Sequence, residues 1–387
     1  MKYIKINPDH PDENSIQTAV DILHSGGVII YPTDTLYGLG VDVTNPKALQ
    51  KLFDLKQRAQ KQPVSLLADS IDQIEYYNGQ LPLEMYARLM RLLPGKFTVL
   101  LQNTLISNFK LAHPLNELKK IGWRVPKHRF ARQLVKTFGH PISTTSANLS
   151  GKGNVKNVAE VISHFGDKPD LIIDAGPIKK NKGSTILDFT KNPPLMLREG
   201  DVSFEETKQR LNGIELRRKK EFFDIVFVCS GNICRSPMAE GILKAMISKT
   251  RFRHIVRVSS AGALNLPPSP AHELAEKIAD ANEINIHKHT SRPINSKLVE
   301  EADLIICMAV NHIDYLRKVF PQYKEKFVLL KQWNKPVPLA NPSIADPIGH
   351  DVDFFSDTFA SIHYEIKRNL PHLFNRLKEF MAYHDLA

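Results

Sequence analysis

The sequence predicts an α/β protein of two domains, the first a twisted α+β unit and the second a parallel sheet flanked by helices. Three observations carry this expectation. The chain has 387 residues, beyond the roughly 250–300 residues at which a single core stops growing. Its texture changes at Asp224, after which short β-rich runs (Ile225–Val228, Val256–Ser259, Leu304–Cys307, Phe327–Leu330) alternate with helical patterns. That alternation is the mark of βαβ units. Finally, Phe355, Phe359, Ile362, Ile366 and Leu370 recur in steps of four, three, four and four, tracing one apolar face of a helix.

The first half is less regular. A helical pattern at Ile16, Val20, Ile22 and Leu23 leads into a β-branched run from Val28 to Tyr31, ended by Pro32. Apolar and turn-rich stretches follow as far as Phe204, without an internal repeat. The stretch KQRLNGIELRRKKEFF (Lys208 to Phe223) has a basic run at Arg217–Lys220 and little apolar periodicity, so it reads as a solvated linker. The expected boundaries are 1–206 for the first domain, 207–222 for the linker and 223–387 for the second domain.

Composition narrows the setting. A content of 42% hydrophobic and 24% charged residues is ordinary for a globular protein, and a net charge of +11 favours phosphorylated or polyanionic partners. Three cysteines argue against a disulfide framework. The opening residues hold no apolar signal region, and no apolar run approaches the ~18 residues of a membrane span. The expectation is a cytoplasmic protein with no membrane partner.

The stretch FVCSGNICRSP, Phe227 to Pro237, holds two of the three cysteines, and three chemistries compete for it. Zinc needs further ligands at suitable spacing, and Cys307, His287 and His289 form no paired motif. A redox pair is more often C-x-x-C; Cys229 and Cys234 lie further apart, which leaves an oxidised form open. A phosphate cradle fits best, because Cys229-x5-Arg235-Ser236 follows a β-run and precedes a helical pattern. In that helix Met238, Ile242, Leu243, Met246 and Ile247 share a face, Ser236 is the expected cap, and Pro237 suits the first turn. Amides of Ser230, Gly231, Asn232, Ile233 and Cys234 would then point inward at a helix N-terminus, bind a tetrahedral dianion and favour a Cys229 thiolate. Gly231 is expected to permit the tight backbone and Asn232 to take the left-handed conformation. Arg235 supplies a bidentate fork.

Residues Ile225 to about Leu377 resemble the low-molecular-weight protein tyrosine phosphatase family. The resemblance rests on VCSGNICRSP, VSSAG (Val258–Gly262), HTSRPI (His289–Ile294) and DLIICMAVNH (Asp303–His312). It implies a Rossmann/flavodoxin-like sheet, a phosphoprotein substrate and no cofactor. It also implies roles: Cys229 attacks phosphorus, while Arg235 and the loop amides hold the phosphoryl oxygens. Asp346 of the Asp-Pro pair in IADPIGH protonates the leaving oxygen and then activates water, and Ser236 supports the leaving thiolate. Ile348 stands where tyrosine-directed relatives carry an aromatic; Ile233 matches those relatives, since phosphoarginine-directed members carry Thr there. Arsenate reductases share the fold, and both a relay through Cys229 and Cys234 and a phosphoarginine substrate stay open.

In the first half, YPTDTLYGLG (Tyr31–Gly40) packs hydroxyl and small residues into a turn, and Lys56 and Arg58 close a helical pattern. No Walker-A motif occurs, yet two close cations and the hydroxyl-rich STTSANLSG (Ser143–Gly151) suit a nucleoside triphosphate bound in another way. From composition alone, the two cations read as a solvated helix end.

Residues from about Ser15 to Phe204 resemble the Sua5/YrdC/TsaC family, which makes threonylcarbamoyl-AMP from L-threonine, bicarbonate and ATP. The resemblance runs through GGVIIYPTDTLYGLG, Lys56-x-Arg58, PGKFTVLL (Pro94–Leu101), IGWRVP (Ile121–Pro126), TSANLSG, GSTILD (Gly183–Asp188) and LREG (Leu197–Gly200). It implies that Thr35, Arg124, Ser146 and Ser184 line a threonine pocket. Lys56, Arg58 and Arg198 would hold ATP, with Thr144, Ser146 and Asn148 alongside, and Mg2+ would accompany the nucleotide. The implied partners are the proteins that carry the group to tRNA in t6A modification, and the tRNA itself. Lys96 and Gly183 depart from the family pattern, and a sister branch lacking the K-x-R and S-x-N elements has no settled activity. The alternative from another class is an RNA-binding module whose basic groove has lost catalysis.

Overall fold

The structure, a computed structural model, describes residues 1–57, 64–149, 152–179 and 182–386. It divides into two compact units, Met1–Lys219 and Lys220–Ala387. Residues 1–219 carry +9 of the net charge and residues 220–387 the remaining +2.

The first unit begins β1 (Lys2–Lys5), α1 (Glu13–His24), β2 (Ile29–Tyr31), β3 (Gly38–Gly40), α2 (Pro46–Lys56) and β4 (Ser65–Leu67). It continues through α3 (Ile71–Asn78), α4 (Leu83–Met90), β5 (Phe97–Gln102), β6 (Lys120–Arg124), α5 (Arg129–Phe138) and β7 (Ile142–Ser146). It closes with α6 (Val158–Phe165), β8 (Leu171–Asp174), β9 (Thr185–Asp188), β10 (Leu195–Arg198), α7 (Phe204–Leu211) and β11 (Arg217–Arg218). The strands form one mixed sheet, β1-β8-β2-β3-β7-β4-β6-β5-β9-β10-β11.

At its centre β3 runs antiparallel to both β2 and β7, with Leu39 opposite Ile30 and Thr145. There β2 buries Tyr31 completely, and a Cβ on Gly38 or Gly40 would lie 2.9 or 2.8 Å from the Tyr31 ring. The glycines of the YPTDTLYGLG stretch therefore make room for that ring, and burial pushes its phenol up to about 12. One face of the sheet packs under α1 and α5 through Ile16, Val20, Leu23, Phe130 and Leu134; the other carries the larger core.

The segment expected as a linker is part of this unit as far as Lys219. Thr207 and Leu211 of α7 and Leu216 beyond it are buried. Arg217 and Arg218 form an edge strand, opposite Leu195 and Met196 of β10. Arg218 lies 4.1 Å over the Phe204 ring and pairs with Glu199 at 2.6 Å. So few inward residues make no period, and an edge strand leaves its charges in solvent.

The second unit comprises β12 (Phe223–Cys229), α8 (Arg235–Ser248), β13 (Val256–Gly262), α9 (Glu273–Ala281), α10 (Ser296–Glu301), β14 (Leu304–Cys307), α11 (Val310–Val319), β15 (Phe327–Leu329) and α12 (Val352–His384). Its sheet, β13-β12-β14-β15, is parallel throughout, with Ile225 of β12 opposite both Val258 and Leu304. Strand β12 is internal, so the loop after it opens at the carboxyl end of the sheet, where α/β folds place their ligands. Helix α12 is capped by Asp351, which accepts from the Phe354 amide, and it buries Phe355, Phe359, Ile362 and Ile366, with Leu370 half-buried.

Phe355 is fully buried, so Phe355→Ala is expected to cost about 3–5 kcal/mol. Urea unfolding followed in the second unit checks this; a loss below about 1 kcal/mol contradicts the packing described.

Candidate active sites

In the second unit β12 delivers Cys229 to the mouth of the loop, and α8 begins at Arg235. Cys234, not Ser236, occupies the cap position, and it makes no side-chain capping bond. Ser236 lies in the first turn beside Pro237, and its Oγ is 3.0 Å from Cys229 Sγ. The reason is Asn232, which sits fully buried at φ 58° as expected for a left-handed residue. Its Nδ2 donates to Ser236 Oγ (2.9 Å) and to Ser260 Oγ (2.8 Å). An amide nitrogen only donates, so Ser236 accepts there and is free to turn its proton toward sulfur. The Asn232 backbone amide adds a second donor, 3.3 Å from Sγ. Ser260 hands its own proton to Glu240 (2.6 Å), and Asn232 is fixed further by the Arg292 amide and by His289.

Gly231 does not do what the sequence suggests. It has no positive φ, and a Cβ there would meet Leu266 at 3.5 Å, an ordinary contact. The close approach occurs at Gly262 of β13, whose Cβ would stand 2.8 Å from the Ser230 carbonyl.

Arg235 is 4% exposed. Its Nη1 donates to the Ile344 carbonyl at 3.0 Å, and Nη2 pairs with the Asp346 carboxylate and lies 3.3 Å from Ser230 Oγ. Its Nε is buried without a partner among the described residues. Asp346 is therefore beside the loop, half-exposed, as the counter-ion of Arg235. Burial, with a smaller push from Cys229, raises the Cys234 thiol to about 12. Cys307 is buried in β14 and held well above the ordinary thiol range; all three cysteines are free. Ile233 and the exposed Leu266 and Ile348 give the mouth an aliphatic surface.

In the first unit a cavity of about 310 Å³ gathers Thr35, Lys56, Arg124 and Thr144 with Ser146, Asn148, Ser184 and Arg198. Arg58 lies outside the described residues. Lys56 ends α2, is 3% exposed, and donates from Nζ to the carbonyls of Ser146 (2.5 Å) and Asn148 (3.0 Å). Ser146 Oγ donates to Asn148 Oδ1, closing the S-x-N turn. Arg124, at the end of β6, donates from Nη2 to Thr35 Oγ1 (2.8 Å) and Asp34 Oδ1 (3.2 Å), while its Nε is buried without a partner among the described residues. Arg198 donates from Nε and Nη2 to the Ser184 carbonyl, and burial together with the Arg124 charge lowers its pKa. Arg124 and Arg198 thus bring two guanidinium groups to one cavity.

Sequence reasoning missed Asp34, which orients Arg124, and Thr98, whose Oγ1 is 2.8 Å from Ser184 Oγ. It also missed Gly200, where a Cβ would come within 2.3 Å of the Gly183 carbonyl. Asp34 and Gly200 sit inside the quoted YPTDTLYGLG and LREG motifs. Lys96 turns away to Asp201 at 3.1 Å.

Residues 21–200 match the family described as Telomere recombination (Sua5, YciO and YrdC), and residues 224–382 match Low molecular weight phosphotyrosine protein phosphatase. The chain belongs to both families. Among curated relatives, Threonylcarbamoyl-AMP synthase of Vibrio parahaemolyticus is 33% identical over 48% of this chain and 100% of its own length. The Uncharacterized protein YciO of Escherichia coli is 31% identical over 51% of this chain and 95% of its own length. Threonylcarbamoyl-AMP synthase of Pyrococcus abyssi is 29% identical over 53% of this chain, which spans only 59% of that relative. Among solved structures, P. abyssi Sua5 complexed with L-threonine shares the fold at a TM-score of 0.51 and 20% identity, over 85% of this chain and 99% of that one. A YwlE mutant from Bacillus subtilis is 30% identical over 39% of this chain and 98% of its own, at a TM-score of 0.36.

The two glycines make a paired prediction. Gly262→Ala is expected to cost about 1–3 kcal/mol through overpacking, while Gly231→Ala stays within about 0.5 kcal/mol. Urea titration of both variants decides; equal losses refute the assignment of the close approach to Gly262.

Proposed function

We propose that the chain is a bifunctional cytoplasmic enzyme. The first unit makes threonylcarbamoyl-AMP from L-threonine, bicarbonate and ATP; the second hydrolyses phosphomonoesters on proteins through a phosphocysteine. What carries the first reading is the set of three held cations, Lys56, Arg124 and Arg198, around one hydroxyl-lined cavity. The relatives named threonylcarbamoyl-AMP synthase support it. Arg124, steadied by Asp34 and with Nε unspent, suits the threonine carboxylate beside Thr35. Lys56 and Arg198 suit the triphosphate, near which a threonine carbamate meets the α-phosphate and pyrophosphate leaves. Magnesium would travel on the phosphates, because the Asp34 carboxylate is taken by Arg124 and the Lys127 amide. The product would pass to the proteins that build t6A on tRNA, and the charge of +9 on residues 1–219 suits that setting.

For the second unit the decisive observation is the pair of donors converging on Cys229 Sγ beside the Arg235–Asp346 pair. Cys229 attacks phosphorus and the phosphoryl oxygens take Arg235 from Asp346. The freed carboxylate takes up the proton that the Cys229 thiol gives up on attack, delivers it to the leaving oxygen, and later draws one from the water that cleaves the phosphocysteine. Ser236 donates to the departing thiolate. The aliphatic mouth, with Ile233 in the loop, suits a phosphotyrosine ring more than a guanidinium.

Two experiments test these readings. Lys56→Ala and Arg198→Ala should each lower pyrophosphate release from Mg·ATP, threonine and bicarbonate by about 10²-fold or more; unaltered rates would leave an RNA-binding role in possession of the first unit. Cys229→Ser should abolish p-nitrophenyl phosphate hydrolysis with the fold retained. Asp346→Ala should slow phenyl phosphate, with its poor leaving group, about 10²–10⁴-fold and p-nitrophenyl phosphate far less. Equal slowing removes Asp346 from the acid role.

A further inference from the structure

His312, in the first turn of α11, takes no part in the reaction described above, yet it is 1% exposed and touches the phosphate loop. Its Nε2 is 2.9 Å from Ser230 Oγ, and the same oxygen lies 3.3 Å from Arg235 Nη2. Its Nδ1 is buried and without a partner among the described residues.

These contacts constrain where the protons sit. A guanidinium nitrogen only donates, so Ser230 Oγ accepts from Arg235. The charged groups facing His312 are Arg235 from α8 and Asp346 from the segment before α12; burial and Arg235 outweigh Asp346 and hold the imidazole down to about 4. It is neutral near pH 7, with one ring proton. A buried N–H without an acceptor is costlier than a bare lone pair, which assigns that proton to Nε2 and leaves Nδ1 bare. Ser230 Oγ then accepts from both His312 and Arg235. Its two lone pairs are filled, and its own proton has neither neighbour left to bond.

Building on the phosphatase reading, we propose that the Ser230 hydroxyl is a further phosphoryl-binding donor of the loop, and that His312 is the positioning residue that turns it toward the anion. The loop amides belong to the backbone and every cradle of this shape has them; this donor depends on one serine and one histidine brought together by β12 and α11.

The test is calorimetric titration of the full chain with inorganic phosphate at pH 7, with the urea-unfolding midpoint measured on every variant. Ser230→Ala should raise the phosphate Kd about tenfold, the share of one hydrogen bond to a charged group, and should lower the midpoint, because the buried His312 N–H loses its acceptor. His312→Ala should weaken phosphate comparably, and the double variant should be no weaker than the worse single one. His312→Gln, which offers an N–H near the place of Nε2, should restore much of the affinity. An unaltered Kd in Ser230→Ala overturns the proposal, as do additive losses in the double variant or a His312→Gln protein as weak as His312→Ala. If the unaltered chain binds no phosphate, the phosphatase reading falls with it; if it binds and Ser230→Ala binds equally, only this inference falls.

Discussion

Both units face the same constraint: each gathers cations and hydrogen-bond donors in a partly buried place. Like charges held together in a partly buried place disfavour one another, and each donor left bare costs free energy. The structure offsets this with neutral oxygens and few carboxylates. Lys56 rests on the carbonyls of Ser146 and Asn148, Arg198 on that of Ser184, and Arg235 on that of Ile344. Carbonyls fix direction without cancelling charge. Where a carboxylate is used it orients a cation, as Asp34 does for Arg124, or pairs with one at the mouth of the loop, as Asp346 does with Arg235.

Asn232 shows how much of a site can hang on one neutral side chain. Its left-handed backbone bends the loop, and its amide fixes two hydroxyls in turn, one toward sulfur and one toward Glu240. Because Asn232 donates to both hydroxyls, each keeps its own proton to turn onward, Ser260 to Glu240 and Ser236 toward Cys229.

What the sequence made legible was local. The β-run, loop and helix around Cys229, the alternation beyond Asp224 and the apolar face of α12 are patterns of neighbours, and the structure reproduces them. The cavity residues of the first unit are legible through the family resemblance rather than from composition, and the structure gathers them around one cavity, with Arg58 outside the described residues. What stayed hidden depends on distant partners. Gly262 matters only because β13 lies against the loop after β12, and Asp34 because β6 brings Arg124 to it. Ser236 looked like a cap because serine often is one; the Asn232 amide gives its hydroxyl another task. The stretch 207–222 reads as a linker because its buried residues, Thr207, Leu211 and Leu216, are too few to show a period.

The central claim is that one chain carries two separate anion sites with different chemistries. A crystal structure of the full chain with orthovanadate and a non-hydrolysable ATP analogue tests it most directly. The account predicts vanadium bonded to Cys229 Sγ, its oxygens on the loop amides and Arg235, and the triphosphate against Lys56 and Arg198. Vanadate bound away from Cys229, or the analogue outside the cavity between Lys56 and Arg198, would contradict it.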